Sequence, residues 1–312
     1  MKKYSEKQYQ SFAIKAVVLL LIITFSIFLV NFIIDPFNMN GIVDFNLKKK
    51  IISHKVDDRL YKMLEYPKNP ATNILLGDSR IAKLNINEIN KYDKNKYYNF
   101  AYRGASLDEV WDTFWYADAR CKLDSVYIGI NFSAWSKNHR NSGTREAVTL
   151  IKTPFAYYIS SYITKLSAYT ILYSWFDINM TYKPSIAKDV FWQSTLDLAR
   201  TMYGHYAYPD DAVAKLEKIK KYCDTNGIKL IFIIFPTHVD LQNKVQEHGL
   251  TREYVKYKQT LAKITTTIDY DYENEWTKNK DLFPDPWHYN DEVMHNIIKE
   301  VWTNNLVVGR TL

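Results

Sequence analysis

Three residues in two short stretches have the types and spacing for acyl chemistry. In "NILLGDSRIAKLN" an apolar run, Asn73 to Leu76, breaks at Gly77 and delivers Asp78, Ser79 and Arg80 ahead of a polar segment of helical character. A strand that ends in Gly before a helix can hold a hydroxyl at the C-terminal edge of a parallel sheet, where a nucleophile would sit. In "FPDPWHYND" Asp285 and His288 stand three residues apart just before another helix. That offset can set a carboxylate against Nδ1 and leave Nε2 free to take a serine proton. Each stretch also has a plainer reading. Gly-Asp-Ser is ordinary turn vocabulary, and a Pro-rich turn often carries an Asp that caps a helix. Of the seven histidines, however, only His288 has a carboxylate at that offset in a loop on the same expected edge.

A nucleophile of this kind needs donors for the charge that develops on the carbonyl oxygen. "NFAYRGAS" ends a strand at Gly104, whose N–H could point into a cleft, and "IGINFSAW" ends the next at Asn131, whose amide could donate. With the Ser79 N–H these make a candidate oxyanion hole, in which losing one donor typically costs about 3 kcal/mol of transition-state stabilisation. Alone, Gly104 reads as a turn residue and Asn131 as a strand-end cap. Two further residues sit near these corners. Arg80 could bind a polar acceptor or pair with an acid. His238, in "FIIFPTHVDLQ", reads first as a bonded part of the cleft wall and second as a substrate contact.

The elements that must position these groups alternate. "NILLGDS", "KYYNFAYRG", "SVYIGINFS", "IKLIFIIFP" and a run near Ile268 to Tyr272 read as strands, with helices between them. Strands alternating with helices predict a doubly wound, flavodoxin-like α/β fold with about five parallel strands. It is expected over residues 71–312, closing with a helix from Asp291 to Trp302. Between about Lys137 and Asp210 the alternation stops, and aromatic segments such as "PFAYYISSYITKLSAYTILYSWF" predict an inserted helical subdomain. Its stretch from Pro154 to Phe176 has one charged residue, Lys165, and reads either as a docking surface for a membrane partner or the bilayer interface, or as cover for the core.

Ahead of this domain, Ala16 to Ile34 is an uncharged run long enough to cross a bilayer as a helix. It continues into Asp35-Pro36-Phe37 without a small-residue cleavage site, so it reads as an uncleaved signal anchor. Lys2, Lys3, Lys7 and Lys15 precede it and Asp35 and Asp44 follow it. By the positive-inside rule the first 15 residues are cytoplasmic and the rest lies outside, although Lys48-Lys49-Lys50 weighs the other way. Residues 35–70 read as a juxtamembrane connector with a short helix around Asp57 to Glu65.

The formal charge of +7 is scattered among acids, which argues against nucleic-acid binding and suits an anionic envelope polymer or lipid surface. Cys121 and Cys223 have no metal-ligand spacing. Both fall near a helix end just before a strand, where they could be neighbours, but a narrow Cα separation is needed and free thiols are favoured. No cofactor or metal is called for by these residues.

The order of blocks resembles the SGNH/GDSL hydrolase superfamily over roughly Asn73 to Trp302, the helical insert excepted. The serine block matches Gly77-Asp78-Ser79, the glycine block Gly104, the asparagine block Asn131, and the Asp-x-x-His block Asp285 and His288. Phe132 follows Asn131 where Asp is common, so the third donor departs from the family pattern. With its anchor, the chain also resembles the membrane-anchored proteins that acylate envelope polymers, namely the D-alanyl-transfer proteins of teichoic acid operons and exopolysaccharide O-acetylation proteins. That resemblance implies O-acyl transfer to a surface polysaccharide or glycopolymer through an acyl-serine, with a membrane-bound O-acyltransferase as partner. An esterase using water as acceptor, and a noncatalytic scaffold of a surface-polymer assembly, are the alternatives.

Overall fold

A computed structural model describes residues 6–43, 45–178, 180 and 186–312, and of 51 and 52 the backbone only. Lys2, Lys3 and Asp44, used in the orientation argument, and 179 and 181–185 of the expected insert lie outside the described residues. In chain order the elements begin with α1 (Glu6–Ile34), α2 (Lys49–Val56), α3 (Asp58–Glu65), β1 (Asn73–Leu76), α4 (Ser79–Ala82), α5 (Ile86–Ile89), β2 (Tyr97–Asn99), α6 (Leu107–Asp118) and β3 (Ser125–Gly129). There follow α7 (Gly143–Lys152), α8 (Pro154–Ile159), α9 (Ser161–Phe176), α10 (Lys188–Gly204), α11 (Asp210–Asn226) and β4 (Lys229–Ile234). The last are α12 (Val239–Glu247), α13 (Thr251–Ile264), β5 (Thr267–Asp269), α14 (Asp291–Thr303) and β6 (Arg310–Thr311).

The strands form one sheet in the order β2-β1-β3-β4-β5-β6. The first five are parallel, with Leu75 opposite Tyr127 and Ile128 opposite Phe232. This is the expected doubly wound α/β sheet, and its strands are short apolar runs because helices cover both faces. β1, β3 and β5 are buried along their whole length. The sixth strand was not expected. β6 has two residues and pairs antiparallel to β5, Arg310 opposite Asp269, too short to stand out as a periodic segment.

Local signals place the helices. Ser106 and Glu109 form a capping box at the start of α6. α11 stops at Gly227, whose φ of +71° is the left-handed conformation that glycine adopts without strain. Asn290 caps α14 by accepting from the Val293 N–H.

The chain divides into two compact units. One contains residues 66–145 and 184–312 and holds the sheet with its helices. The other contains residues 1–65 and 146–183. The expected insert at 137–210 is therefore not a single body. Its last helix, α10, belongs with the sheet, burying Trp192, Leu196, Ala199 and Tyr203 along one stripe. Its middle part, α8 and α9, belongs with α1, and the buried Asn31 of α1 supplies the reason. Asn31 Nδ2 donates to the Tyr158 carbonyl (2.8 Å) and to Thr164 Oγ1 (2.9 Å), while Ser167 Oγ donates to Asn31 Oδ1 (3.0 Å). In the same unit Asp35 accepts from the backbone N–H groups of Met39, Asn40 and Gly41. α1 is the one described helix long and apolar enough to cross a membrane.

Candidate active site

The site begins at the C-terminal end of β1, beside the point where the strand order reverses between β1 and β3. Gly77 leaves the strand with φ +135°, and a Cβ there would collide with the Gly129 carbonyl and press on Ile81. Only glycine allows β1 and β3 to approach this closely while the chain turns. Asp78 then caps α4, its Oδ1 accepting from the Arg80 N–H at 2.9 Å. Ser79 is thereby the first residue of that helical turn, and the Tyr289 hydroxyl ties the turn down by donating to the Arg80 carbonyl at 2.6 Å.

His288 arrives from the loop before α14. Asp285 accepts from the N–H groups of Trp287 (2.8 Å) and His288 (3.1 Å), which curls the loop into one turn. His288 Nδ1 then lies 2.9 and 3.0 Å from the two carboxylate oxygens of Asp285, and Nε2 lies 2.7 Å from Ser79 Oγ. A carboxylate only accepts, so Nδ1 carries the proton and Nε2 is the acceptor for the serine hydroxyl. The histidine side chain is 38% exposed and that of Asp285 9%, so the base faces the opening while its orienting partner is shielded.

Ser79, His288, Asp285 and Gly104 line a common cavity of about 360 Å³. Arg80 also lines it, and its charge is already engaged. Nη2 lies 3.0 Å from Asp78 and 2.7 Å from Ser133 Oγ, the guanidinium sits over the Trp287 ring, and Nε has no partner among the described residues. Of the two readings for Arg80, pairing with an acid is what its contacts show.

One sequence expectation needs correction. Asn131 is not among the cavity residues. It is 1% exposed, its Nδ2 faces the Asp78 carboxylate at 3.1 and 3.3 Å, and its Oδ1 accepts from the Phe235 N–H. Its amide is turned to the buried acid of the serine block, so it braces Asp78 rather than facing the cavity. His238 has the bonded, structural character of its first reading and lies outside the cavity lining, so its contacts do not support the second, a substrate contact. Its Nδ1 accepts from the Asp240 N–H at 3.1 Å, capping α12, and its ring lies edge-on to Trp192 and Phe283. Burial pushes its pKa below the usual histidine value, against the opposing pull of Asp240.

Sequence reasoning missed the far wall. Phe191, Thr195, Leu198 and Met202 of α10 face the cavity at helical spacing, on the stripe beside the one that α10 buries. Trp287 Nε1 donates to the Thr195 carbonyl at 2.9 Å and so links α10 to the histidine loop. The spacing was visible, but a stripe of this kind reads as core until its neighbouring stripe is seen to be the buried one. Ser133, the partner of Arg80, carried no signal. A larger cleft of about 590 Å³ between α12, α13 and β6 holds no serine, cysteine or histidine, and its buried Lys258 is held by Asp269. Cys121 and Cys223 are free thiols, with burial raising Cys223 to about 12. No group of three or more His, Cys, Asp or Glu among the described residues could hold a metal ion.

No family model and no curated protein matches the chain. Solved structures do overlap it. One is a Streptococcus pneumoniae protein provisionally named a platelet activating factor, with 8% identity and TM-score 0.40 over 82% of this chain and 94% of that one. Another is a Bacteroides fragilis protein provisionally named an acylhydrolase, with 16% identity and TM-score 0.38 over 79% of this chain and 94% of that one. Overlaps this loose leave the chemistry to rest on the geometry of the site.

Proposed function

We propose that this chain is a serine acyl-transfer enzyme, and more specifically a membrane-anchored O-acyltransferase acting on a surface polysaccharide or related glycopolymer. The observation that carries the chemistry is the continuous chain from Ser79 Oγ to His288 Nε2 (2.7 Å) and from Nδ1 to Asp285 (2.9 Å). Ser79 Oγ attacks the carbonyl carbon of an acyl ester as its proton passes to His288 Nε2, and Asp285 holds the imidazolium that results. The N–H groups of Ser79 and Gly104 are the donors for the oxyanion. As the tetrahedral intermediate collapses, His288 returns the proton to the leaving alcohol and the acyl group remains on Ser79. An acceptor hydroxyl then gives its proton to His288 and attacks the acyl-serine, and His288 returns that proton to Ser79 Oγ as the new ester leaves. The apolar wall from α10 suits the acyl portion of the donor.

The anchor assignment rests on α1, 29 residues long with an uncharged run from Ala16. A membrane-bound acyl donor partner fits that arrangement. The same triad with water as acceptor is an esterase, and the two differ only in the hydroxyl that enters.

Two measurements on the full chain in detergent test this reading. With a small activated acetyl ester, Ser79→Ala should lower turnover by about 10³-fold or more while circular dichroism stays that of the wild type. Undiminished turnover in a folded variant removes the nucleophile assignment. With an acceptor oligosaccharide present, mass spectrometry should find acetylated oligosaccharide as well as acetate. Acetate alone, at every acceptor concentration, would leave the esterase as the activity.

A further inference from the structure

Within the unit formed by α1, α8 and α9, the packing fixes where the short helices lie along the long one. The rings of Phe28 and Phe32 meet Tyr158 at 5.3 and 5.2 Å between centroids, and Phe28 meets Phe155 at 6.1 Å. Between them Asn31, completely buried, has its amide satisfied by the Tyr158 carbonyl, Thr164 and Ser167. A carboxamide in an apolar helix needs such partners, and here α8 and α9 supply them. Phe28 and Phe32 lie six and two residues before Ile34, the last residue before the charged Asp35. At a rise of about 1.5 Å per residue they sit roughly 9 and 3 Å inside the apolar end of α1.

If α1 spans a bilayer, whatever packs on those rings shares their depth. We propose that α8 and the adjoining turns of α9 are embedded in the lipid leaflet that α1 leaves at Ile34, lying on the membrane rather than crossing it. Their outward side chains fit a lipid environment. Phe155 is 65% exposed, Ala168 is exposed, Tyr169 is half-buried, and from Pro154 to Phe176 there is no acid. The one charge, Lys165, is exposed with its ammonium over the Tyr169 ring, and its stem is long enough to carry that charge to the headgroups. Trp175 and Phe176 are both exposed, and tryptophan is enriched at the membrane interface. Both helices are too short to span the hydrocarbon core, at 6 and 16 residues. The occupant of this face is therefore lipid, by continuity with the apolar surface of α1. The inference rests on the anchor part of the proposed function and not on the acyl chemistry.

Depth-dependent quenching tests it. The full chain with Cys121→Ser and Cys223→Ser receives one environment-sensitive fluorophore at Phe155→Cys or Ala168→Cys. Phe25→Cys in α1 and Val307→Cys serve as membrane and water controls. Each protein is reconstituted in phosphatidylcholine vesicles containing some phosphatidylglycerol, with a spin label near the headgroup or deep in the acyl chain. Circular dichroism matching the parent qualifies each variant, and the two test positions on separate helices guard against loss of one. The labels at 155 and 168 should be quenched several-fold more than that at 307, and more by the shallow spin label than by the deep one. Quenching equal to that at 307, while the label at 25 is quenched, places the face outside the lipid and overturns the proposal. No quenching at 25 overturns it together with the anchor, a result that esterase turnover would not share.

Discussion

His288 and His238 each face an aspartate carboxylate, and only the first is placed to move a proton. His288 uses both ring nitrogens, one on Asp285 and one on the Ser79 hydroxyl, and opens onto a cavity. His238 is 5% exposed, with Nδ1 spent on the Asp240 amide, Nε2 without a partner among the described residues, and aromatic rings at its edges. The neighbouring carboxylates also differ. Asp285 turns inward and meets the imidazole with both oxygens, whereas Asp240 Oδ2 accepts from Trp192 Nε1 at 3.0 Å and stands 3.4 Å from the ring. A carboxylate near a histidine is therefore weak evidence of function. A hydroxyl on the other ring nitrogen and room for a substrate make the difference.

The largest expected effect separates the two aspartates. Asp285→Asn keeps an oxygen for the Trp287 and His288 amides but lets the ring take the wrong tautomer. Turnover of a small acetyl ester should fall by about 10³- to 10⁴-fold with the fold retained. Asp240→Asn should leave turnover within about twofold, since a distant exposed carboxylate adds little to proton transfer. Equal losses in the two variants would break the distinction.

A second difference lies beneath Ser79. Asp78 and Arg80 form an ion pair with side chains 7% and 6% exposed, braced by Asn131 and Ser133. The carboxylate beside His238, that of Asp240, is 42% exposed instead. Arg80→Met would leave the Asp78 carboxylate buried without its counter-charge, at a cost of about 3–5 kcal/mol in unfolding free energy. Arg140→Met, at the exposed pair with Asp211, should leave stability nearly unchanged by the same denaturant titration. If both variants unfold alike, the buried pair is no more a foundation for Ser79 than a surface contact.

The sheet and the meeting of Ser79, His288 and Asp285 were legible in the sequence because each depends on local pattern. Short apolar runs of four to six residues, ending before Gly77, Asn131 or Pro236 and set between helical segments, read as strands, and the Asp285 and His288 offset is closed by a single turn. What escaped depends on partners far along the chain. Asn131 reads as a free donor until its distance to Asp78 is known, and the only hint was Phe132 after it, where the resembled SGNH pattern commonly has Asp. The aromatic helices after α7 looked like one insert, yet α8 and α9 pack on α1 through Phe28, Phe32 and the buried Asn31 near its C-terminal end. The wall from α10 was hidden for the opposite reason, since adjacent stripes of one helix serve the core and the cavity.

The smallest effect concerns His238 itself, and its sign is determined. Burial lowers its pKa in the folded protein, Asp240 opposes the shift and Lys280 adds to it. Below the ordinary histidine value of about 6.5 the unfolded chain binds a proton that the folded one resists. Stability from this group is thus fully present above that value and is lost as pH falls toward the folded pKa, with a slope of at most about 1.4 kcal/mol per pH unit. His238→Asn keeps an acceptor for the Asp240 amide and removes the titration. Its denaturation midpoint should change less than that of the wild type between neutral and mildly acidic pH, while ester turnover at neutral pH is unchanged. A turnover loss approaching that of Asp285→Asn would mean that the buried histidine takes part in the chemistry, and the line drawn between the two His–Asp pairs would have to be moved.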